Sequence, residues 1–111
     1  MKISVVTVSY NCENSIVKTI ESVMSQDYSD LEYLIIDGGS SDKTAQVADS
    51  YSEKMSDRGI EYRVLSEPDN GIYDGMNKGA RLATGDIIAF LNCGDTYEPH
   101  ALEHVSAQFD L

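Results

Sequence analysis

Basic residues are scarce: eight lysines and arginines stand against nineteen acids, for a formal net charge of -11 over 111 residues. That imbalance argues against a basic phosphate-binding footprint, and so against nucleic acid or an anionic membrane surface as a partner. Any phosphorylated ligand would need backbone N–H groups or a cation to offset the field of the protein. Cysteine is equally sparse. Cys12 and Cys93 show no Cys-x-x-Cys spacing, so the expectation is two free thiols in a reducing compartment, with neither a disulfide nor a zinc site. No apolar run is long enough to cross a bilayer, and the N-terminus passes into KISVVTVSY without signal-peptide architecture. The chain therefore reads as cytosolic. Repeats, low-complexity tracts and interdomain linkers are also lacking, which makes residues 1–111 a single domain.

What is present is the pattern of an ordered globular chain, with 41% hydrophobic residues set in short alternating segments. Near-continuous aliphatic runs at Ile3–Val8, Leu34–Ile36, Tyr62–Leu65 and Ile87–Leu91 read as strands covered on both faces. One-sided helical stripes separate and follow them: Ile16, Ile20, Val23 and Met24; Thr44, Ala48, Tyr51 and Met55; Ile72, Met76, Ala80 and Ala83; Leu102, Val105 and Phe109. Asn14 and Ser41 are the expected N-caps, Gly85 the residue closing the third helix, and Pro99 the first turn of the last. The order βαβαβαβα predicts a three-layer α/β/α sandwich on a mainly parallel sheet with right-handed crossovers. The last stripe runs almost to Leu111, with no closing strand visible.

In such sheets ligands bind beyond the carboxyl ends of the strands. Four segments meet there: Ser9-Tyr10-Asn11, Asp37-Gly38-Gly39-Ser40, Glu67-Pro68-Asp69-Asn70-Gly71 and Asn92-Cys93-Gly94-Asp95. Asp37 ends an aliphatic run and is read as an acceptor for a base or ribose, whereas Asp42 is read as a complement to a helix dipole. Gly75 and Gly79, four residues apart in a helical pattern, each cost about 1 kcal/mol relative to alanine, so close backbone packing is their expected role. Lys78 and Arg81 are the local cations, but a solvated helix face is the favoured reading for both. His100 and His104 read as a surface pair. Asp95 carries the chemistry of an Mg²⁺ or Mn²⁺ ligand, although a lone carboxylate is more often a turn cap.

Taken together, SVVTVSYN, LIIDGGSSDKT, SEPDNGIYDGMNKGARLATGDIIAFLN and the terminal GD resemble the N-terminal half of a family 2 glycosyltransferase of the GT-A fold. SEPDNGIYDGMNKG resembles a subgroup associated with bacterial surface and exported polysaccharides. The resemblance implies a nucleotide-diphosphate sugar bound across the strand ends, with a divalent cation bridging its diphosphate. It implies that Thr7, Ser9, Tyr10 and Asn11 cradle the nucleoside, that Asp37 contacts the base, and that Asp69 and Asn70 border nucleotide and diphosphate. The family commonly shows Asp-x-Asp-Asp where this chain has Asn92, Cys93, Gly94 and Asp95. Asn92, Gly94 and Asp95 would then form the donor-sugar and diphosphate corner, with Asp95 the metal ligand and Asn92 an uncharged helper.

Relatives invert the anomeric centre with an acidic general base acting on a saccharide or lipid-linked acceptor, and no residue here matches that base. The isolated chain is therefore expected to show little or no turnover, and a longer parent protein could sit peripherally at the inner face of a membrane. Competing readings are a non-catalytic, self-associating fragment and a receiver-like signalling domain, the latter disfavoured because the first strand ends in SYN rather than acids. A dehydrogenase is disfavoured because no G-x-G-x-x-G follows that strand.

Overall fold

A computed structural model describes residues 1–109. Its elements are β1 (Ile3–Ser9), α1 (Ile16–Met24), β2 (Leu31–Asp37), α2 (Thr44–Asp49), α3 (Ser52–Asp57), β3 (Glu61–Ser66), α4 (Ile72–Leu82), β4 (Ile87–Phe90) and α5 (Ala101–Phe109). The four strands are all parallel, in the order β3-β2-β1-β4. Val6 lies opposite Leu34 on one side and Phe90 on the other, and Ser9 lies opposite Asp37. Strand order reverses beside β1, so a cleft is expected above its carboxyl end. With helices on both faces, this is the expected α/β/α sandwich.

Alternation along β1 divides the core. Ile3 and Val5 face α1, α2, α3 and α5 in a large cluster with Ile16, Ile20, Tyr33, Ile35, Met55 and Leu102. Val6 instead joins Leu34 and Ile36 in a smaller cluster with Val8, Leu65 and Leu82. On that side α4 presents its buried residues Gly75 and Gly79 to the sheet. A Cβ on Gly75 would stand 2.8 Å from Cγ1 of Val8, and one on Gly79 would overlap Cγ1 of Val6. The two glycines thus serve as the close-approach surface expected of them.

Several local expectations are corrected. β2 is buried throughout and β1 everywhere but at half-buried Val8, whereas the outer strands β3 and β4 are not covered on both faces; Ile88 and Phe90 remain 39% and 40% exposed. The stripe through Tyr51 is two short helices, because the chain bends at Ser50–Tyr51 while keeping its apolar face toward the sheet. Neither Asn14 nor Ser41 caps a helix. Lys43 and Ser15 hold the N-cap positions of α2 and α1 without side-chain caps, and Asp42, just before α2, accepts Thr44 N–H at 3.0 Å. Gly85 lies beyond the extended Ala83 that ends α4. Its lack of a side chain admits Ser4, whose Oγ would be 2.6 Å from a Cβ there. Pro99 precedes α5 rather than opening it. The last stripe, Leu102, Val105 and Phe109, lies within α5, and residues 110–111 lie outside the described residues.

Buried Glu32 ties these parts together, accepting Ser4 Oγ–H at 2.6 Å, Thr84 N–H at 2.8 Å and Thr84 Oγ–H at 3.1 Å. Burial works to raise its pKa, but the hydrogen bonds from Ser4 and Thr84 prevail and hold it below the usual range.

Candidate functional site

A cleft of about 560 Å³ opens above the carboxyl ends of the strands, lined by Val8, Ser9, Tyr10, Gly38, Gly39, Pro68, Asp69, Gly71 and Ile72. β1 delivers Ser9 and Tyr10, the turn after β2 delivers the two glycines, and the β3–α4 loop supplies the opposite wall. Tyr10 is 63% exposed and Ile72 45%, so the cleft offers apolar and aromatic faces to a flat ligand.

Asp37 organises the floor rather than the opening. It is 0% exposed. Oδ1 accepts Ser9 Oγ–H at 2.8 Å and Ser40 Oγ–H at 2.6 Å. Oδ2 accepts Ser40 N–H at 2.8 Å, Ser66 Oγ–H at 2.8 Å and Gly39 N–H at 3.2 Å. Burial works to raise its pKa, but the Ser40, Ser66 and Ser9 hydrogen bonds outweigh it and hold the carboxyl below the usual aspartate range. The carboxylate therefore locks the ends of β1, β2 and β3 into one rim, and its acceptor capacity is used inside the protein. The expected contact to a base does not match this geometry.

The other expected nucleoside residues separate into lining and support. Thr7 points away from the cleft, fully buried, with Oγ1 2.8 Å from the Tyr33 hydroxyl. Period-two alternation, which turns Val8 to the cleft, turns Thr7 to the other layer. Asn11, at φ 47°, reaches across to the β2–α2 loop, where its Oδ1 accepts Ser41 N–H at 2.8 Å. Asp69 lines the cleft; Asn70 sits on its exposed shoulder, its N–H donated to Asp74 at 3.0 Å.

Asn92, Gly94 and Asp95 form a separate corner on the β4 side of β1. The turn is closed by Asp95 N–H to Asn92 O at 3.0 Å and needs Gly94 at φ 102°, a left-handed conformation that other residues rarely adopt. Thr19 fixes it from α1: Oγ1 accepts Gly94 N–H at 2.9 Å and donates to Asp95 O at 2.8 Å. The Asp95 carboxylate is exposed and makes no hydrogen bond or ion pair among the described residues. One carboxylate and the nearby amide of Asn92 fit a hard cation whose other ligands are water and phosphate oxygens, and not a cation held by protein alone.

The free-thiol expectation is overturned. Cys12 and Cys93 form a disulfide across 81 residues of sequence, with Cα atoms 6.9 Å apart. β1 and β4 are neighbours, so the turns that leave them converge although sequence spacing gives no hint of it. The bond ties the nucleoside-side turn to the Asp95 turn.

The cations also differ from expectation. Lys78 is not on a solvated face: its Nζ lies 3.1 Å from Glu67 and 3.4 Å from Pro68 O, clasping the β3–α4 loop. Arg81 is exposed as expected. His100 has acidic neighbours the sequence pattern missed, with Nδ1 3.1 Å from Glu103 and 3.8 Å from Asp27. Among the described residues, these three are the group whose potential ligand atoms converge, and Asp95 is not among them. The hydrogen bond to Glu103, then the charge of that carboxylate, raises the His100 pKa, as in an exposed ion pair.

Comparison with known proteins agrees with this architecture. The model for glycosyl transferase family 2 matches residues 4–110. An uncharacterized glycosyltransferase of Nostoc sp. is 33% identical over 98% of this chain and 33% of its own length. A PGL/p-HBAD biosynthesis glycosyltransferase of Mycobacterium bovis is 37% identical over 79% of the chain and 34% of its own. S. aureus TarS 1-349 in complex with UDP-GlcNAc superposes with a TM-score of 0.86 at 26% identity, over 99% of this chain and 31% of that one. A Pyrobaculum calidifontis mannosyltransferase, solved with GDP-Man and Mn²⁺, shares the fold at 23% identity and a TM-score of 0.83, over 91% of this chain and 30% of that one. The chain spans about a third of the length of the curated relatives it matches. With a family match over nearly every residue and the GT-A sandwich beneath it, this chain belongs to glycosyl transferase family 2.

Proposed function

We propose that this chain forms the donor-binding part of an enzyme that transfers a sugar, with inversion, from a nucleotide-diphosphate sugar to an acceptor hydroxyl in bacterial polysaccharide or glycoconjugate synthesis. The observation that carries the reading is the 560 Å³ cleft at the strand ends, with Tyr10 on one side and Asp69 on the other. Its position beside β1 is where an open parallel sheet binds nucleotides. The UDP-GlcNAc complex of S. aureus TarS supports the same ligand class.

In this reading Tyr10 stacks on the base and the Asn92–Asp95 turn faces the diphosphate. Asp95, helped by Asn92, holds Mg²⁺ or Mn²⁺ together with phosphate oxygens; when bound, the cation neutralises the diphosphate, which a protein of charge -11 cannot do alone. Among the described residues none is assigned as the acceptor's general base, so the isolated chain binds donor without turning it over.

Asp95→Ala tests the metal corner. Mn²⁺ is expected to strengthen UDP binding to the wild type, and the variant should lose roughly tenfold or more of that enhancement, the scale set by damage to a metal site. Uridine, which has no phosphates, should bind both proteins alike. Calorimetric titrations with and without Mn²⁺ measure both; an enhancement of equal size in the variant removes Asp95 from the metal site.

A further inference from the structure

Among the described residues, Oδ2 of Asp69 is the buried side-chain polar atom left without a hydrogen-bond partner. The same carboxylate lines the cleft. It is held firmly: Oδ1 accepts Gly71 N–H at 3.0 Å. A Cβ on Gly38 would stand 2.9 Å from Oδ1, and one on Gly75 would stand 3.4 Å from Oδ2. Two glycines on different elements therefore make room for this one side chain. A buried carboxylate oxygen with no donor is costly, and this one belongs to a side chain that lines the cleft, where a donor on a bound ligand would satisfy it. Asp37 cannot receive that donor, since both its oxygens are already shared among five hydrogen bonds.

We infer that Asp69, and not Asp37, is the residue that reads the nucleobase, and that it selects bases carrying a protonated ring nitrogen. The inference rests on the nucleotide-sugar reading above. Uracil, thymine and guanine present a ring N–H on the edge that pairs in nucleic acids, and a carboxylate accepts it. Cytosine and adenine present a bare ring nitrogen at the matching position, which faces a carboxylate lone pair to lone pair. Asp69 and the exposed ring of Tyr10 line the same cleft, so a base that stacks on Tyr10 would present its pairing edge to this carboxylate. Asp37 acts beneath it as a positioning residue, holding the Gly38–Gly39 turn against which the Asp69 carboxylate lies.

The test is calorimetric titration of two matched pairs, UDP against CDP and GDP against ADP, into the folded chain with Mg²⁺. In whichever pair binds, the nucleotide with the ring N–H should bind roughly tenfold or more tightly, the scale of a hydrogen bond to a charged group. Asp69→Asn, which can keep the bond to Gly71 N–H, should weaken the preferred nucleotide by a similar factor and reduce the preference within the pair to about twofold or less. Gly38→Ala displaces the same carboxylate without changing its charge and should reduce the preference too, which keeps the test sound if Asp69→Asn does not fold. A wild type that binds both members of a pair equally, or variants that keep the full preference, would overturn the role of Asp69. Binding of none of the four by folded wild type would instead remove the nucleotide reading on which the inference stands.

Discussion

Asp37→Ala is expected to destabilise the fold by about 3 kcal/mol or more, with a fall in Tm above about 10 °C. The substitution strips acceptors from the hydroxyls of Ser9, Ser40 and Ser66 and from the N–H groups of Gly39 and Ser40, around a side chain with no solvent exposure. Each buried donor left unmet costs on the order of 1–3 kcal/mol, although Ser40 and Ser66 can partly turn to water. Domains of this kind hold only about 5–15 kcal/mol in total, so the loss should be plain in urea denaturation. Acid supplies a second readout. The Asp37 pKa is depressed in the folded state, so its contribution is complete above the ordinary aspartate value near 4 and is lost as pH falls through the lower folded value. Wild type should lose stability below about pH 4, and Asp37→Ala should show less of that acid dependence, with Glu32 and Asp42, whose carboxyls are also held low, contributing to the remainder. A variant within about 1 kcal/mol of wild type at pH 7 would refute the role of Asp37 as the lock of the rim.

Gly79→Ala sets two effects of opposite sign against each other. Alanine favours a helix interior by about 1 kcal/mol over glycine. At position 79, however, the added Cβ would overlap Cγ1 of fully buried Val6 and stand 3.2 Å from its Cβ, on a strand held between two others. Overpacking a well-filled interior costs about 1–3 kcal/mol, occasionally more, and β1 cannot retreat without disturbing both neighbours. The expected result is a net loss of about 2 kcal/mol in urea denaturation, with Val6→Ala recovering part of it in the double variant. A stabilised Gly79→Ala protein would show that α4 can move off the sheet freely.

The parallel sheet and its alternating helices are readable in the sequence because β1, β2 and the stripe of α1 carry their patterns within single short windows; the predicted stripe of α4 from Ile72 is not its buried face, which is Gly75 and Gly79, while Ile72 is 45% exposed. Local pattern misleads where the deciding partner is distant. Ile87 to Leu91 has the composition of a buried strand, yet the position of β4 at the end of the sheet exposes Ile88 and Phe90. Cys12 and Cys93 pair only because β1 and β4 are adjacent. Thr7 and Ser9 have the same alternation parity, but Ser9 emerges at the strand end beside Asp37 while Thr7 meets Tyr33 inside. Asp37 is legible as special from its place after Leu34-Ile35-Ile36; that it serves the protein rather than a ligand depends on Ser40 and on Ser66 of β3. The orphan oxygen of Asp69 has no sequence signal beyond the glycines at 38 and 75 that accommodate it.

Calorimetric titration of the wild-type chain with UDP, GDP and TDP in the presence of Mn²⁺ tests most directly whether the strand-end cleft is a nucleotide site. Saturable one-to-one binding of at least one of them, weakened when Mn²⁺ is withheld, is the expected result. A chain shown to be folded by its cooperative urea transition that binds none of the three would contradict the donor-binding role proposed for this domain.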